Sequence, residues 1–492
     1  MQTRHDSLRI YDTFEGMLDR KLGHVSVAKI LLTKKTKQSR VKKMVRIADI
    51  KGIAKTTAIL IAVIVIIIAA VGVYYVVYYE PAPAEAEDKI AVVSDVGGRG
   101  DLSFNDMAFK GGEEAEEDFG FEMIEIISKT ADDYLPNLRA AADDPDTVLI
   151  VGVGYLLSEA LLTVAQEYPE KNFAGIDTYT QALAIYGELG EPLPNMMDIA
   201  YEERKGSAMV GALGAFLAAY YDKPHIGGVF GESIGVLYKF EIGYKWGARW
   251  GTEWLAQNKP DLAFDYTKDF VLWTYTETFD DVTKGYTAAL PMYEAGAVAV
   301  YNIAGPLGLG INAAVRNIAE TEWREGERNR PTDVDEFGPP FWIGVDANQD
   351  WLNPGFVIAS MMKRVDWGVY TASKLIHEGT FRNAVADTDG TITIGIGTEV
   401  LGEPMEGISV STLADLDEFI DMGLKAEEMT GEPFLPGDRT WIKIKVEGMR
   451  EAQPSWIWDA VAELELKIRT GEVEVPFAYT VDEVTQWRDI LG

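Results

Sequence analysis

The 492-residue chain predicts an α/β protein whose parallel sheets are covered by helices on both faces, preceded by one membrane-spanning helix. Three observations predict this. Beyond residue 88, short and nearly continuous apolar runs alternate with stretches of helical periodicity. Most of those runs end on a Gly or an Asp at a turn. One uncharged stretch, AILIAVIVIIIAAVGVYYVVYY from Ala58 to Tyr79, separates a basic leader from an acidic bulk. Strands buried on both faces read as continuous apolar runs, and strand–helix alternation stacks a parallel sheet between helix layers.

The leader comes first. Residues 1–55 carry 14 Lys/Arg against 5 Asp/Glu and the remainder 31 against 73, so balances of +9 and −42 sum to the net −33. As a helix, the 22 residues Ala58–Tyr79 would rise about 33 Å, enough to cross a bilayer. Lys51 and Lys55 flank the inner end and four Tyr (Tyr74, Tyr75, Tyr78, Tyr79) the outer end. Basic flanks stay in the cytoplasm and amphipathic rings settle at the headgroups, so the acidic bulk is expected outside the cell membrane as a single-pass protein. The apolar core exceeds that of a cleaved signal, which favours a retained anchor, although PAPAEAE leaves cleavage open. The basic run KKTKQSRVKKMVR reads as a topology determinant, with anionic lipid headgroups as its alternative partner. PAPAEAED, Pro81–Asp88, is a short, stiff, charged linker.

Composition excludes several function classes. The chain has no Cys, so disulfides, thiol chemistry, Cys-based metal sites and Cys-linked lipid are excluded. His5, His24, His225 and His377 are scattered without metal-ligand spacing. The acidic bulk repels a phosphate backbone, so nucleic acid is not an expected partner. No metal and no cofactor are expected.

The strands follow in order. KIAVVSD ends at Asp95 and TVLIVGVGY at Tyr155. NFAGID ends at Asp177, HIGGVFG at Gly231, AVAVYNIAG at Gly305 and FWIGVD at Asp346. After the second strand, Leu157, Ala160, Leu161, Val164 and Ala165 form one apolar helical stripe. The Gly/Ala-rich run Gly206–Tyr220 is too short for a second span and reads as a buried helix packed closely on a sheet. Any one strand-end residue alone reads as a turn former or helix cap. Six of them on one sheet edge point to a ligand crevice, because in open α/β sheets it lies outside the carboxyl ends of the strands.

The stretch DVGGRGDLSFND, Asp95–Asp106, is the densest of these turns. It matches neither G-x-x-x-x-G-K-[ST] nor G-x-G-x-x-G, and its acids repel an anion. No acid–base pair or nucleophile arrangement stands out, so no catalysis is expected. The residue types fit a neutral, hydroxyl-rich, planar ligand. Phe104 offers a stacking face. Asn105 carries a donor and an acceptor for a base edge. Asp177 and Asp346 accept from sugar hydroxyls, and Lys363 would offset the buried acids.

These motifs resemble the basic membrane protein family of type I periplasmic-binding-protein-like receptors, best understood as purine nucleoside receptors of ABC transporters. DVGGRGDLSFND is similar to that family's opening turn with its SFN motif. GVGYLLSEALLTVAQEYPEKNFAGID, NMMDIAYEERKGSAMVGALGAFLA, ETFDDVTKGYTAALPMYEAGAVAVYNIAGPLGLG, GVDANQDW, ASMMKRVDWGVY and LKIRTGEVEVP follow in family order from about Lys89 to Pro476. The resemblance implies a two-lobed type I periplasmic-binding-protein fold hinged near residues 199, 359 and 396. Its expected limits are 89–198 plus 359–395 for one lobe and 199–358 plus 396–476 for the other, with a tail helix over 477–492. The segments before them are 1–55, 56–79 and 80–88. It further implies a ligand site of Asp95, Asp101, Phe104, Asn105, Tyr155, Asp177, Gly231, Gly305, Gly308, Asp346 and Lys363, and an ABC permease and ATPase as partners. The chain departs from the family pattern at Leu102, where a Lys often precedes SFN, and at Ile303, where an aromatic precedes AG. The absent lipidated Cys would be replaced by the Ala58–Tyr79 helix, and polar stretches near 320–340 and 400–440 read as surface insertions. The expected function is capture of a nucleoside-like solute for an ABC importer. The alternative is a surface sensor or structural protein that keeps the fold.

Overall fold

The computed structural model describes residues 88–321 and 337–492. They belong to one compact unit, Ala86–Gly492. Most of the polar stretch expected near 320–340 lies outside the described residues.

The membrane part of the sequence reading is corrected. Among the described residues no helix is long and apolar enough to cross a membrane. The stretch Ala58–Tyr79, on which that reading rested, lies outside them. The membrane-spanning helix in the fold class, the membrane as a partner and the single-pass location are therefore withdrawn. The Gly/Ala-rich run that was expected to be a buried helix is one.

Two six-stranded sheets carry the fold. The first contains β1 (Lys89–Ser94), β2 (Glu122–Ile127), β3 (Thr147–Val153), β4 (Asn172–Ile176), β5 (Met196–Tyr201) and β11 (Thr391–Ile394), in the order β11-β5-β4-β3-β1-β2, all parallel. The second contains β6 (His225–Phe230), β7 (Val271–Tyr275), β8 (Ala297–Ile303), β9 (Phe341–Asp346), β10 (Val357–Lys363) and β14 (Ile408–Val410), in the order β14-β10-β9-β8-β6-β7. Only β14 runs antiparallel, against β10. A small hairpin, β12 (Thr398–Val400) and β13 (Glu403–Met405), lies between β11 and β14, on the last passage from the first sheet to the second. The two orders correspond strand for strand, so β1 and β6, or β4 and β9, hold equivalent places.

Around the first sheet lie α1 (Phe104–Phe119), α2 (Tyr134–Asp143), α3 (Ser158–Glu167), α4 (Thr180–Tyr186), α9 (Val365–His377) and α10 (Phe381–Asp387). With the second go α5 (Glu203–Tyr220), α6 (Gly235–Asn258), α7 (Val282–Glu294), α8 (Leu307–Thr321), α11 (Leu416–Thr430), α12 (Arg439–Ala452), α13 (Ser455–Arg469) and α14 (Val481–Leu491). The α3 stripe of Ala160, Leu161, Val164 and Ala165 is buried as its spacing predicts. α5 packs its backbone on α6: a Cβ at Gly211 would strike the carbonyl of Tyr244, and one at Gly247 that of Ala208. That contact explains the Gly/Ala composition of α5, which is buried over most of its length. α14 lays Val484 and Leu491 against Tyr238 and Ile242 of α6.

The chain leaves the first sheet after Tyr201, returns after Lys363 and leaves again after Ile394. β10 keeps its residues through Lys363 in the second sheet. The finer lobe limits stay a proposal. The six strand ends named from the sequence lie together at the carboxyl edges of the two sheets, Asp95, Tyr155 and Asp177 on the first and Gly231, Gly305 and Asp346 on the second.

Candidate functional site

Between those facing edges lies a cleft lined by residues of both sheets, where small ligands bind in folds of this kind. Its first wall is the loop from β1 to α1. Buried carboxylates shape this loop from within. Asp101 Oδ1 accepts from the backbone N–H of Ser103 (3.0 Å) and Asp106 (3.1 Å), and its Oδ2 from the N–H of Asn105 (2.8 Å). Asp106 accepts from Gly100 N (3.1 Å) and Leu102 N (2.8 Å). Asp95 Oδ1 accepts from Gly97 N (3.1 Å) and from Asn105 Nδ2 (2.9 Å), which also donates to Asp101 Oδ2 (3.1 Å). Gly97 must lack a side chain, since a Cβ would lie 2.6 Å from Asn105 Nδ2. Gly154, at φ +115°, leaves room for Asp95 in the same way, a Cβ falling 2.7 Å from Asp95 Oδ2. The loop delivers half-buried Phe104, the first residue of α1, to the cavity.

Asp177 and Asp346 sit at equivalent places after β4 and at the end of β9, both in left-handed backbone, at φ +59° and +61°. Such a conformation is uncommon for a residue with a side chain and clusters at functional sites. Lys363, at the end of β10, ion-pairs with Asp177 and with Glu203 (3.1 Å). Glu203 opens α5 and also meets Lys239 of α6 (2.6 Å). The Lys363 ammonium lies 5.1 Å from the ring centres of Phe104 and Tyr201 and 5.4 Å from that of Phe240, close enough for cation–π attraction.

Burial sets the electrostatics. It pushes Asp95 up to about 6, although the Asn105 and Gly97 hydrogen bonds pull down. It pushes Asp177 up to about 6 against the pull of Lys363. Asp346 rises to about 7, because burial and the nearby Asp177, Asp101 and Glu203 outweigh Lys363. Burial acts upward on Glu203 too, but Lys239 and Lys363 hold that carboxyl below its usual range. For Lys363, burial is outweighed by Asp177, Glu203 and Asp346, and its affinity for the proton rises. Groups desolvated this far and paired within a cleft are the signature of a binding or reaction site.

Of the residues named from the sequence, Asp95, Asp101, Phe104, Asn105, Tyr155, Asp177, Gly305, Asp346 and Lys363 line the cavity. Asp101 lines it with both oxygens already engaged by its own loop. Gly231 and Gly308 stand behind the wall. A Cβ on Gly231 would fall 2.5 Å from the Phe279 ring, and one on Gly308 would strike Asn302 Nδ2. Sequence reasoning passed over Phe279, which lines the cavity from the loop after β7. Its signal was the one that marked Phe104, a lone aromatic in a polar turn after a strand. It also passed over Glu203 and the apolar wall of α6, Val236, Leu237 and Phe240.

With this geometry in place, the comparisons with known proteins carry weight. Residues 88–425 match the family described as ABC transporter substrate-binding protein PnrA-like. An uncharacterized lipoprotein of Pyrococcus abyssi is 32% identical over 399 residues, covering 81% of this chain and 86% of that protein. An ABC transporter nucleoside-binding protein of Lactococcus lactis is 26% identical over 326 residues, covering 63% of this chain and 81% of that protein. Among solved structures, an ABC transporter solute-binding protein of Aeropyrum pernix superposes with a TM-score of 0.65 at 30% identity, covering 81% of this chain and 95% of that one.

Proposed function

The chain belongs to the family of PnrA-like ABC transporter substrate-binding proteins, and from that premise we propose that its cavity captures a nucleoside-like ligand, a purine nucleoside fitting best, for delivery to the permease and ATPase of an ABC importer. The family is one of solute-binding proteins, not of enzymes. One observation carries the ligand reading. A half-buried aromatic face, Phe104, lines the same cavity as two carboxylates, Asp177 and Asp346, each of which keeps one buried oxygen without a partner in the protein. A base stacks on Phe104, with Phe279 as a second aromatic in the wall. The sugar hydroxyls go to Asp177 and Asp346, and Lys363 holds their charge in check. Asp95, Asn105, Tyr155 and the close backbone at Gly305 complete the surround. The nucleoside-binding relative in Lactococcus lactis supports the same ligand class.

The test is mass spectrometry of small molecules released from the purified full chain, followed by calorimetric titration with nucleosides. A released nucleoside and saturable one-to-one binding are expected. A released sugar, amino acid or peptide, with no heat from any nucleoside, would replace this reading.

A further inference from the structure

β7 (VLWTY) is the last strand of the second sheet, and among the described residues it pairs only with β6. On that side its backbone is engaged at alternate positions, as the bonds from Thr276 N to the Phe230 carbonyl and from Ile226 N to the Phe270 carbonyl show. The N–H and C=O groups of Val271, Trp273 and Tyr275 therefore point out of the sheet edge. Folded proteins blunt such edges with charge, proline, bulges or short length, because an open edge templates pairing with another chain. The other three outer strands follow that rule. β2 carries Glu122 and Glu125, while β11 and β14 have only four and three residues. β7 has five residues, no charge, no proline and no register shift against β6.

A groove runs beside this edge, walled by Leu272–Thr276 and by one stripe of α7, Lys284, Thr287, Ala288, Pro291 and Ala295. Its lining holds one Lys and no acid, on a chain whose net charge of −33 makes copies repel over most of their surface. The acids that follow β7 are held by their own chain: Glu277 accepts from Ser233 Oγ (2.7 Å) and Asp280 from Thr278 Oγ1 (2.6 Å). α7 starts beside the end of β7, where Lys284 Nζ donates to the Thr276 carbonyl (3.0 Å). It runs back to the other end of the strand, where Gly296 meets Pro224 just before β6. Glu294, in the last turn of α7, is exposed, as is Lys284. Neither has an ion-pair partner among the described residues.

We propose that the β7 edge is the contact between two copies of this chain, pairing antiparallel about a twofold axis at Trp273 so that the two second sheets become one. In that register Trp273 lies opposite its own copy and Val271 opposite Tyr275, which joins the backbone groups left free in each chain. The same axis reverses α7 against its copy and sets Lys284 of each chain toward Glu294 of the other. The charges left unpaired in one chain are thus complementary between two. The cavity stays accessible, because it lies at the carboxyl edges of the strands and the pairing uses the flank of the sheet.

The experiment is light scattering of the purified full chain at low salt, from micromolar to tenths of millimolar concentration. A mass of two chains is expected, falling toward one on dilution. Lys284→Glu and Glu294→Lys each set like charges against one another at both ends of the contact, and each should weaken the dimer at least about tenfold. Both side chains are exposed, so melting temperatures should match the parent. Combining the two substitutions in one chain should restore the dimer with its charges exchanged. A monomer at every concentration, or a dimer that neither single substitution weakens, would overturn the proposal. A dimer weakened by both but not restored in the combined variant would overturn the antiparallel register on which it stands.

Discussion

Phe104 and Asp346 turn the site into measurable quantities. Phe104 is half-buried and faces the cavity, so Phe104→Ala should cost roughly 1–3 kcal/mol of binding as stacking is lost. That is about one to two decades in Kd, with little change in melting temperature. A collapse in melting with unchanged affinity of the folded fraction would make the ring a core element instead. Asp346 sets a pH dependence. Burial lifts it to about 7, with Lys363 opposing and Asp177, Asp101 and Glu203 adding to the rise. A ligand donor on this carboxyl favours its charged form and lowers its pKa. Binding then releases a proton, so affinity should be full above about pH 7 and weaken as pH falls through that value. Titration across pH, in buffers of different ionisation enthalpy, reads both the trend and the proton. A flat Kd between about pH 5 and about pH 8 would contradict it. Asp95, Tyr155, Asp177 and Asp346 were legible in the sequence because each ends an apolar run. The commitments of Asn105 were not. The sequence offers an amide with a donor and an acceptor, and only the folded loop shows two carboxylates accepting from its nitrogen.

At the scale of elements, α1 and α9 pack so closely that a Cβ on Gly111 would overlap the carbonyl of Asp366. Gly111→Ala should therefore destabilise the fold by about 1–3 kcal/mol, as overpacking does, which thermal melting would register as a clear fall. An unchanged melting temperature would mean that the two helices separate freely. Glu114, Asp366 and Glu418 gather beside this contact, but Lys110 and Arg364 lie among them, pairing with Asp366 (2.8 and 2.6 Å) and with Glu418 (2.9 and 3.0 Å). The cluster is an ion-pair network joining α1 and the β10–α9 crossing to α11. The central strands were readable because burial on both faces leaves long apolar runs in them, such as Ile90–Val93, Leu149–Val151 and Ala297–Tyr301. The edge strands β2 (EMIEII) and β7 (VLWTY) are mostly half-buried, and such mixed runs carry no comparable signal. The crossings were placed only through the family resemblance, since a chain passing between sheets has no periodicity of its own.

Over the whole molecule, the two halves touch at points that opening must break. Ser103 Oγ donates to the Val345 carbonyl (3.0 Å), and Gln349 Nε2 donates to the Leu102 carbonyl (3.1 Å). Lys363 pairs with Asp177 across the gap, and Phe434 packs against Gly100, where a Cβ would lie 3.3 Å from its ring. A ligand that meets both halves favours this arrangement over an open one. Solution scattering should then show a smaller radius of gyration at saturating nucleoside than without it. An unchanged radius at independently verified saturation would count against a hinge. The unmet oxygens of Asn105, Asp177 and Asp346 have a further consequence for transport. Shutting without cargo would strand each of them away from water, at roughly 1–3 kcal/mol apiece. Even one such oxygen biases an unloaded receptor toward the open form by roughly five- to a hundredfold. Under the importer proposed above, the shut form would be a signal of occupancy: a permease that engaged only that shape would register whether cargo is aboard, and its ATPase would be spared idle cycles.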